Sequence, residues 1–245
     1  MIYGILSDIH SNLEALTTCL DYLQKEKIQK YIYVGDIVGY GPNPNECIEE
    51  IKKLSPLIVI GNHDAACCGQ KDIICFNNYA QQAIVWTIKN LSDSNRDYLS
   101  GLPKTLIEEN FLVVHGSPRD PIDEYILTEL EFKENLSFFV QPICFIGHSH
   151  IPFVFSFNVI TSEVNLILPQ NGDIIKISPD RRYIINVGSV GQPRDDNPKS
   201  CCVVYDTEKG EIRYIRLSYN ITETQNKMRK VKLPEFLIQR LSVGR

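Results

Sequence analysis

Short apolar runs alternate with segments of helical periodicity through the first half of the chain. Ile2–Leu6 reads as a strand, and the stretch 12–27 that follows places Leu13, Leu16, Leu20 and Leu23 along one helical face. Tyr31–Val34 predicts a second strand, Pro44–Leu54 a second helix and Leu57–Ile60 a third strand. This alternation predicts parallel βαβ units. Helical patterns return from Phe76 to about Leu99 and from Glu131 to Val140. The second half is richer in strands: Phe111–Val114, Ile143–Ile146, Phe153–Phe155, Val164–Leu168, Asp173–Ile177, Tyr183–Val187, Cys202–Tyr205 and Ile212–Arg216. Turn signals at Asn171-Gly172 and Lys209-Gly210 separate some of them. A helix is expected from Ile221, and Leu233, Phe236, Leu237 and Leu241 mark a terminal segment. With no repeat and no linker-like stretch, the chain reads as one α/β domain over 1–245, in which 220–245 is a C-terminal helical or extended segment.

Polar residues gather where these strands end. Asp8 and His10 follow the first strand, Gly35-Asp36 the second and Gly61-Asn62-His63-Asp64 the third. His115 follows Phe111–Val114, and Gly147-His148-Ser149-His150 follows Ile143–Ile146. Ligands bind at the carboxyl ends of parallel strands, so five distant segments are expected to build one site.

Composition narrows what that site does. Of 245 residues, 43% are hydrophobic and 22% charged, as in an ordinary globular protein with a sizeable core. The net charge is −5 and no block of Lys or Arg stands out, which counts against a nucleic-acid groove. An acidic chain acting on phosphates needs local positive charge, and bound metal ions supply it. The start MIYGILSDIH has neither the basic flank nor the apolar run of a signal peptide, so a cytoplasmic location is expected. No stretch approaches the ~20 apolar residues of a membrane helix. The eight cysteines form no paired CxxC motifs and are expected to be buried apolar residues.

All five histidines, His10, His63, His115, His148 and His150, lie at those strand ends. Imidazole nitrogens with Asp and Asn oxygens make a sulfur-free set suited to Mn²⁺, Fe²⁺, Zn²⁺, Co²⁺ or Ni²⁺. In Asp8-Ile9-His10 and His148-Ser149-His150 the ligands are two residues apart, which on extended backbone points both to one face. Glycines precede Asp36, Asn62 and His148, where close approach or unusual φ is expected.

Taken in order, Asp8-x-His10, Gly35-Asp36, GNHD (61–64), His115-Gly116 and GHSH (147–150) resemble the motif set of the calcineurin-like metallophosphoesterases. The resemblance runs from Ile2 to about Arg194. It implies a four-layer α/β/β/α sandwich with a dinuclear metal centre at the sheet edge. It further implies that Asp8, His10, Asp36 and His150 bind one metal, and that Asp36 bridges to a second held by Asn62, His115 and His148. His63 would be the acid that contacts the phosphate or leaving oxygen, with Asp64 orienting it. Two such divalent ions, with manganese expected foremost, would clamp a phosphoryl group and acidify a bridging water.

The segments 35–49 and 186–195 resemble the bacterial and archaeal phosphodiesterase branch, whose relatives include dinucleoside polyphosphate hydrolases. The expected partner is therefore a phosphorylated small molecule of nucleotide type, with diadenosine tetraphosphate the leading case. A general small-substrate phosphodiesterase or phosphomonoesterase is the alternative, and a non-catalytic binding module on the same fold a weaker one. Arg194 is a candidate for a distal phosphate, Tyr40 for stacking on a base or packing its loop, and Asn12 for a helix N-cap or a substrate contact. The stretch 117–127, carrying Arg119 and Tyr125, resembles a substrate-facing loop. The oligomeric state is left open.

Overall fold

A computed structural model describes every residue from Met1 to Arg245. In chain order the elements are β1 (Ile2–Leu6), α1 (Leu13–Leu23), β2 (Lys30–Tyr33), α2 (Pro44–Lys52), β3 (Leu57–Ile58), α3 (Asn62–Cys67), α4 (Asn78–Asn90) and α5 (Asp93–Ser100). There follow β4 (Thr105–Ile107), β5 (Phe111–Val114), α6 (Glu129–Asn135), β6 (Ile143–Ile146), β7 (Phe153–Asn158), β8 (Val164–Ile167), β9 (Ile174–Lys176) and β10 (Arg181–Asn186). The chain closes with β11 (Ser200–Asp206), β12 (Glu211–Leu217), α7 (Ile221–Lys230) and α8 (Glu235–Arg240).

The strands form two six-stranded sheets, ordered β3-β2-β1-β11-β12-β9 and β4-β5-β6-β10-β7-β8. Strands β1, β2 and β3 run parallel, as do β5, β6 and β10. The inner strands, such as β1, β5, β6 and β11, are buried on both faces, which is why they read as continuous apolar runs. The two-residue period sorts the side chains. Tyr3 and Ile5 of β1 meet Phe145 and Ile185 between the sheets, whereas Leu6 turns outward to Leu16 and Leu23 of α1. On the far side, Ile184 of β10 packs against Phe132 of α6. The layers are thus helix, sheet, sheet, helix, and the expected α/β/β/α sandwich is found.

Some elements differ from the sequence reading. The helical pattern over 76–99 is two helices, because Ser92 interrupts it and caps α5 by accepting from the Asn95 amide. The GNHD motif starts a short helix that the sequence reading did not contain. Its last three residues open α3, with the Asp64 carboxylate accepting from the Gly61 amide in the manner of a capping box. Strand β4, three residues on a sheet edge, went unforeseen. The last segment packs onto the body: Leu237 and Leu241 are buried with Tyr40, Ala80 and Met228, while half-exposed Phe236 stacks on Tyr79 at 4.7 Å. No helix is long and apolar enough to cross a membrane.

Candidate metal centre

The residues expected as ligands stand beyond the strands, on turns rather than on extended backbone. Strand β1 ends at Leu6 and β6 at Ile146. Past them, Asp8, His10, His148 and His150 adopt φ of 52°, 48°, 65° and 62°. The chain has twelve non-glycine residues at positive φ, and Ser11, Asp36 and Tyr40 bring the number here to seven. Such residues cost about 1–3 kcal/mol each and persist only where surrounding structure fixes them. Main-chain bonds do the fixing. The amides of Asp8, His10 and Ser11 donate to the carbonyls of Gly35, Asp36 and Ile37, and those of Val190 and Gly191 donate to Ser7 and Asp8. Gly35 itself sits at φ 84°, and a Cβ on Gly61 would collide with the Asp36 carboxylate and amide.

Three imidazoles are held from behind in the same manner. Nδ1 of His10 donates to the Val38 carbonyl (3.0 Å), Nδ1 of His115 to Val34 (2.7 Å) and Nδ1 of His150 to Gln192 (2.6 Å). This sets the tautomer and aims each Nε2 inward. His150 Nε2 lies 3.3 Å from Asp8 Oδ1, His115 Nε2 lies 3.3 Å from Asp36 Oδ2, and His10 Nε2 lies 3.6 Å from Asp36 Oδ2. His148 is anchored the other way round, through Nε2 to the Asp123 carbonyl at 3.1 Å, with Tyr125 stacked on its ring at 3.9 Å. Asn62 Oδ1 lies 3.2 Å from His115 Nε2. Asp36 therefore stands between two groups, Asp8–His10–His150 and His115–His148–Asn62.

The electrostatics of this cluster call for cations. Asp8 and Asp36 are buried, and neither oxygen of Asp8 nor Oδ2 of Asp36 has a hydrogen-bond partner. Burial pushes Asp8 up to about 7 despite the nearby His115. Burial would raise Asp36 too, yet His115 and His63 hold it well below the carboxylate range; in return Asp36 lifts His115 to about 10 against the effect of burial. Burial drives His10 and His150 well down, so their inward nitrogens are bare lone pairs. Unpartnered buried carboxylate oxygens cost several kcal/mol unless a cation compensates them. An all-N/O donor set of buried carboxylates and imidazoles fits divalent cations.

The sequence profile of the calcineurin-like phosphoesterase superfamily domain matches residues 1–210. The chain belongs to this superfamily. An uncharacterized protein of Methanocaldococcus jannaschii is 41% identical over 99% of this chain and 98% of its own length. The crystal structure of a metallophosphoesterase from Sphaerobacter thermophilus superposes with a TM-score of 0.90 at 38% identity, covering 100% of this chain and 99% of that one. A symmetrical bis(5′-nucleosyl)-tetraphosphatase of Coxiella burnetii is 39% identical over 62 residues, 24% of this chain and 21% of that protein.

Within this calcineurin-like phosphoesterase, a cleft of about 340 Å³ opens over the cluster, lined by Asn62, His63, His148, Tyr40, Tyr125 and Arg194 among others. His63 is packed between Tyr40 (4.4 Å) and Phe76 (4.9 Å), and its amide donates to Asp36 Oδ1 at 2.8 Å. Its Nδ1 is buried without a partner, and burial lowers its pKa to about 4. The expected orienting bond from Asp64 is not made. Both Asp64 oxygens are taken by main-chain amides, those of Val38 (3.0 Å) and Gly61 (3.2 Å), so Asp64 shapes the turn instead. Asn12 is likewise placed away from the cleft. It caps α1 by accepting from Ala15, donates to Gly191 (2.8 Å) and Tyr219 (3.1 Å), and accepts from Thr224, which leaves nothing for a substrate. Arg119 is also turned aside, pairing with Glu124 and Glu134. Lys71, Phe76 and Asn77 line the cleft and were missed. They lie between two elements with no motif of their own, and only the Gly69 turn after α3 hinted at a change of direction.

Proposed function

We propose that this calcineurin-like phosphoesterase hydrolyses a phosphodiester or phosphoanhydride bond in a nucleotide-type small molecule, using two divalent metal ions. The observation that carries the reading is the trio of unpartnered buried oxygens on Asp8 and Asp36, ringed by imidazoles whose rear nitrogens are already bonded. Asp8, His10, Asp36 and His150 would hold one ion, and Asp36, Asn62, His115 and His148 the other. When bound, the two ions supply Lewis-acid charge to the phosphoryl group and activate water, manganese being the leading candidate. The protein's own contribution is positional. The strained turns fix the donors before any ligand arrives, and His63 lines the cleft with its Nδ1 buried against Gly39, which leaves Nε2 as the nitrogen that can meet a ligand. Protonated, the ring can donate through Nε2 to the departing oxygen, an effect typically worth about 10²–10⁴-fold.

A nucleotide suits the remaining walls. Tyr40, Phe76 and Tyr125 offer aromatic faces and Asn77 an amide, while Arg194 offers a cation to a neighbouring phosphate. The short match to the Coxiella burnetii tetraphosphatase supports dinucleoside tetraphosphate as the first substrate to try. A second reading, a phosphodiesterase or phosphomonoesterase of smaller compounds, is favoured by cleft size, since about 340 Å³ lies near the small end of ligand pockets.

The test is product analysis after incubating Mn²⁺-reconstituted protein with diadenosine tetraphosphate. Release of ATP with AMP, or of two ADP, is expected and identifies the bond attacked. Cleavage of an aryl phosphodiester alone would transfer the assignment to the smaller substrates. Inertness toward both would sink the enzymatic reading.

A further inference from the structure

Two guanidinium groups converge on a single amide oxygen beside the proposed metal centre. Arg194 Nη2 and Arg240 Nη1 each donate to Gln192 Oε1 at 3.0 Å. That acceptor is neutral, so it satisfies hydrogen bonds without compensating either charge. No side-chain carboxylate pairs with either arginine: nearby Asp195 is held by Arg216 at 2.8 Å, and Asp196 by Arg245. The other contacts of Arg194 are the Tyr40 hydroxyl at 3.4 Å and the Tyr40 ring, 5.7 Å from the guanidinium carbon. Its Nε is buried with no partner. Arg240 lies over the Phe236 ring at 5.5 Å and directs Nε to the main-chain oxygen of Arg245.

Adjacent like charges in a half-buried position raise the energy of the fold unless an anion joins them. Burial and then Arg194 lower Arg240 to about 10. Arg194 is also built directly onto the cluster, and Gln192 joins Arg240 to it. The Gln192 carbonyl accepts from His150 Nδ1 at 2.6 Å, and the Arg194 amide donates to the His150 carbonyl at 3.3 Å. Arg194 lines the same cleft as Asn62, His63 and His148.

We propose that Arg194 and Arg240 form an anion subsite that takes a second phosphate of the substrate, next to the one placed over the metal ligands. The inference rests on the phosphoesterase reading and sharpens it. The favoured substrates carry phosphates in sequence, as a polyphosphate chain does, and a lone diester leaves the subsite unused. Forked guanidiniums suit the oxygens of such a group. Arg240 is supplied by α8, beyond residue 210 where the superfamily profile stops, whereas Arg194 lies within the matched range.

Calorimetric titration of inorganic tripolyphosphate into chelator-treated, full-length protein reads the subsite without turnover. Wild type is expected to bind, and R194Q and R240Q each to bind about 10-fold or more weakly, as loss of a charge-assisted partner implies. Thermal melts report whether each variant is folded. If R240Q is not, R240K preserves the charge but loses the fork and should fall between wild type and R194Q. In metal-loaded protein, the ratio of kcat/KM for diadenosine tetraphosphate to that for an aryl phosphodiester should drop about 10-fold in R240Q, mainly through KM. No binding by wild type, or equal binding by wild type and the folded variants, overturns the subsite. A wild type that binds tripolyphosphate yet hydrolyses nothing overturns the proposed function and leaves the subsite standing.

Discussion

His10 and His150 present their Nε2 atoms to one another at 3.1 Å, each with Nδ1 already committed to a main-chain carbonyl. Two lone pairs so placed repel. A shared cation removes the repulsion and at the same time compensates Asp8, which lies 3.3 Å from His150.

Divalent metal should therefore stabilise the fold as well as support turnover. Mn²⁺ added to chelator-treated protein is expected to raise the melting temperature, by about 2.7 kcal/mol of stability at a concentration 100 times Kd. Asp8→Asn and Asp36→Asn should both lose this rise and bind less metal, and Asp36→Asn should abolish turnover. Without metal, Asp8→Asn should melt above wild type, because it removes a buried charge whose two oxygens have no partner. Calorimetric melts with and without Mn²⁺ check the stability outcomes, elemental analysis the metal content and a hydrolysis assay the turnover. Wild-type hydrolysis by Asp36→Asn would overturn the ligand assignment.

His63 differs from the other four histidines, since neither ring nitrogen is anchored to a carbonyl and Nδ1 has no partner at all. His63→Ala should keep its metal content, measured by elemental analysis, while kcat falls about 10²–10⁴-fold. Gly39→Ala offers an independent check. Gly39 has φ 93°, and an added Cβ would come within 2.5 Å of His63 Nδ1, so this variant should also lose kcat. Loss of metal in His63→Ala would instead make His63 a ligand.

Much of this was legible in the sequence because it is local. Strands buried on both faces announce themselves as apolar runs, and Asp8, Asp36, His115 and His148 follow such runs directly. The backbone at those residues was not legible: two-residue spacing suggested extended chain, whereas tertiary bonds impose left-handed turns. Asn12 shows the same divide. Its capping role is local and was foreseen, but the bonds that remove it from the cleft come from Gly191, Tyr219 and Thr224. Lys71 reaches the cleft on a long side chain from a segment without a motif, and periodicity says nothing of where such chains point.

Asp64 lies next to His63 in sequence, yet its role is in the backbone. It accepts the amides of Val38 and Gly61, which would otherwise be buried and unpaired. Asp64→Ala should therefore cost about 1–3 kcal/mol of stability per orphaned donor. Denaturant melts should show a shifted midpoint. If Asp64 oriented the His63 ring instead, kcat would fall as in His63→Ala with stability unchanged.

Glu124 links the loop 117–127 to α6, and that loop carries the Asp123 carbonyl on which His148 is anchored. Arg119 bonds the Glu124 carboxylate, with Ser117 and Asn135 adding donors, and together they hold its pKa at about 2, below the usual 4.5. A depressed folded-state pKa means stability that is fully present above the unfolded value and is lost as pH falls toward the folded value. Wild type should accordingly melt above Glu124→Gln at pH 7, with a gap that stays constant down to about 4.5 and closes toward about 2. Paired melts of chelator-treated protein from pH 7 to low pH would measure that gap. A gap that widens on acidification would show that the carboxylate is not what braces the loop.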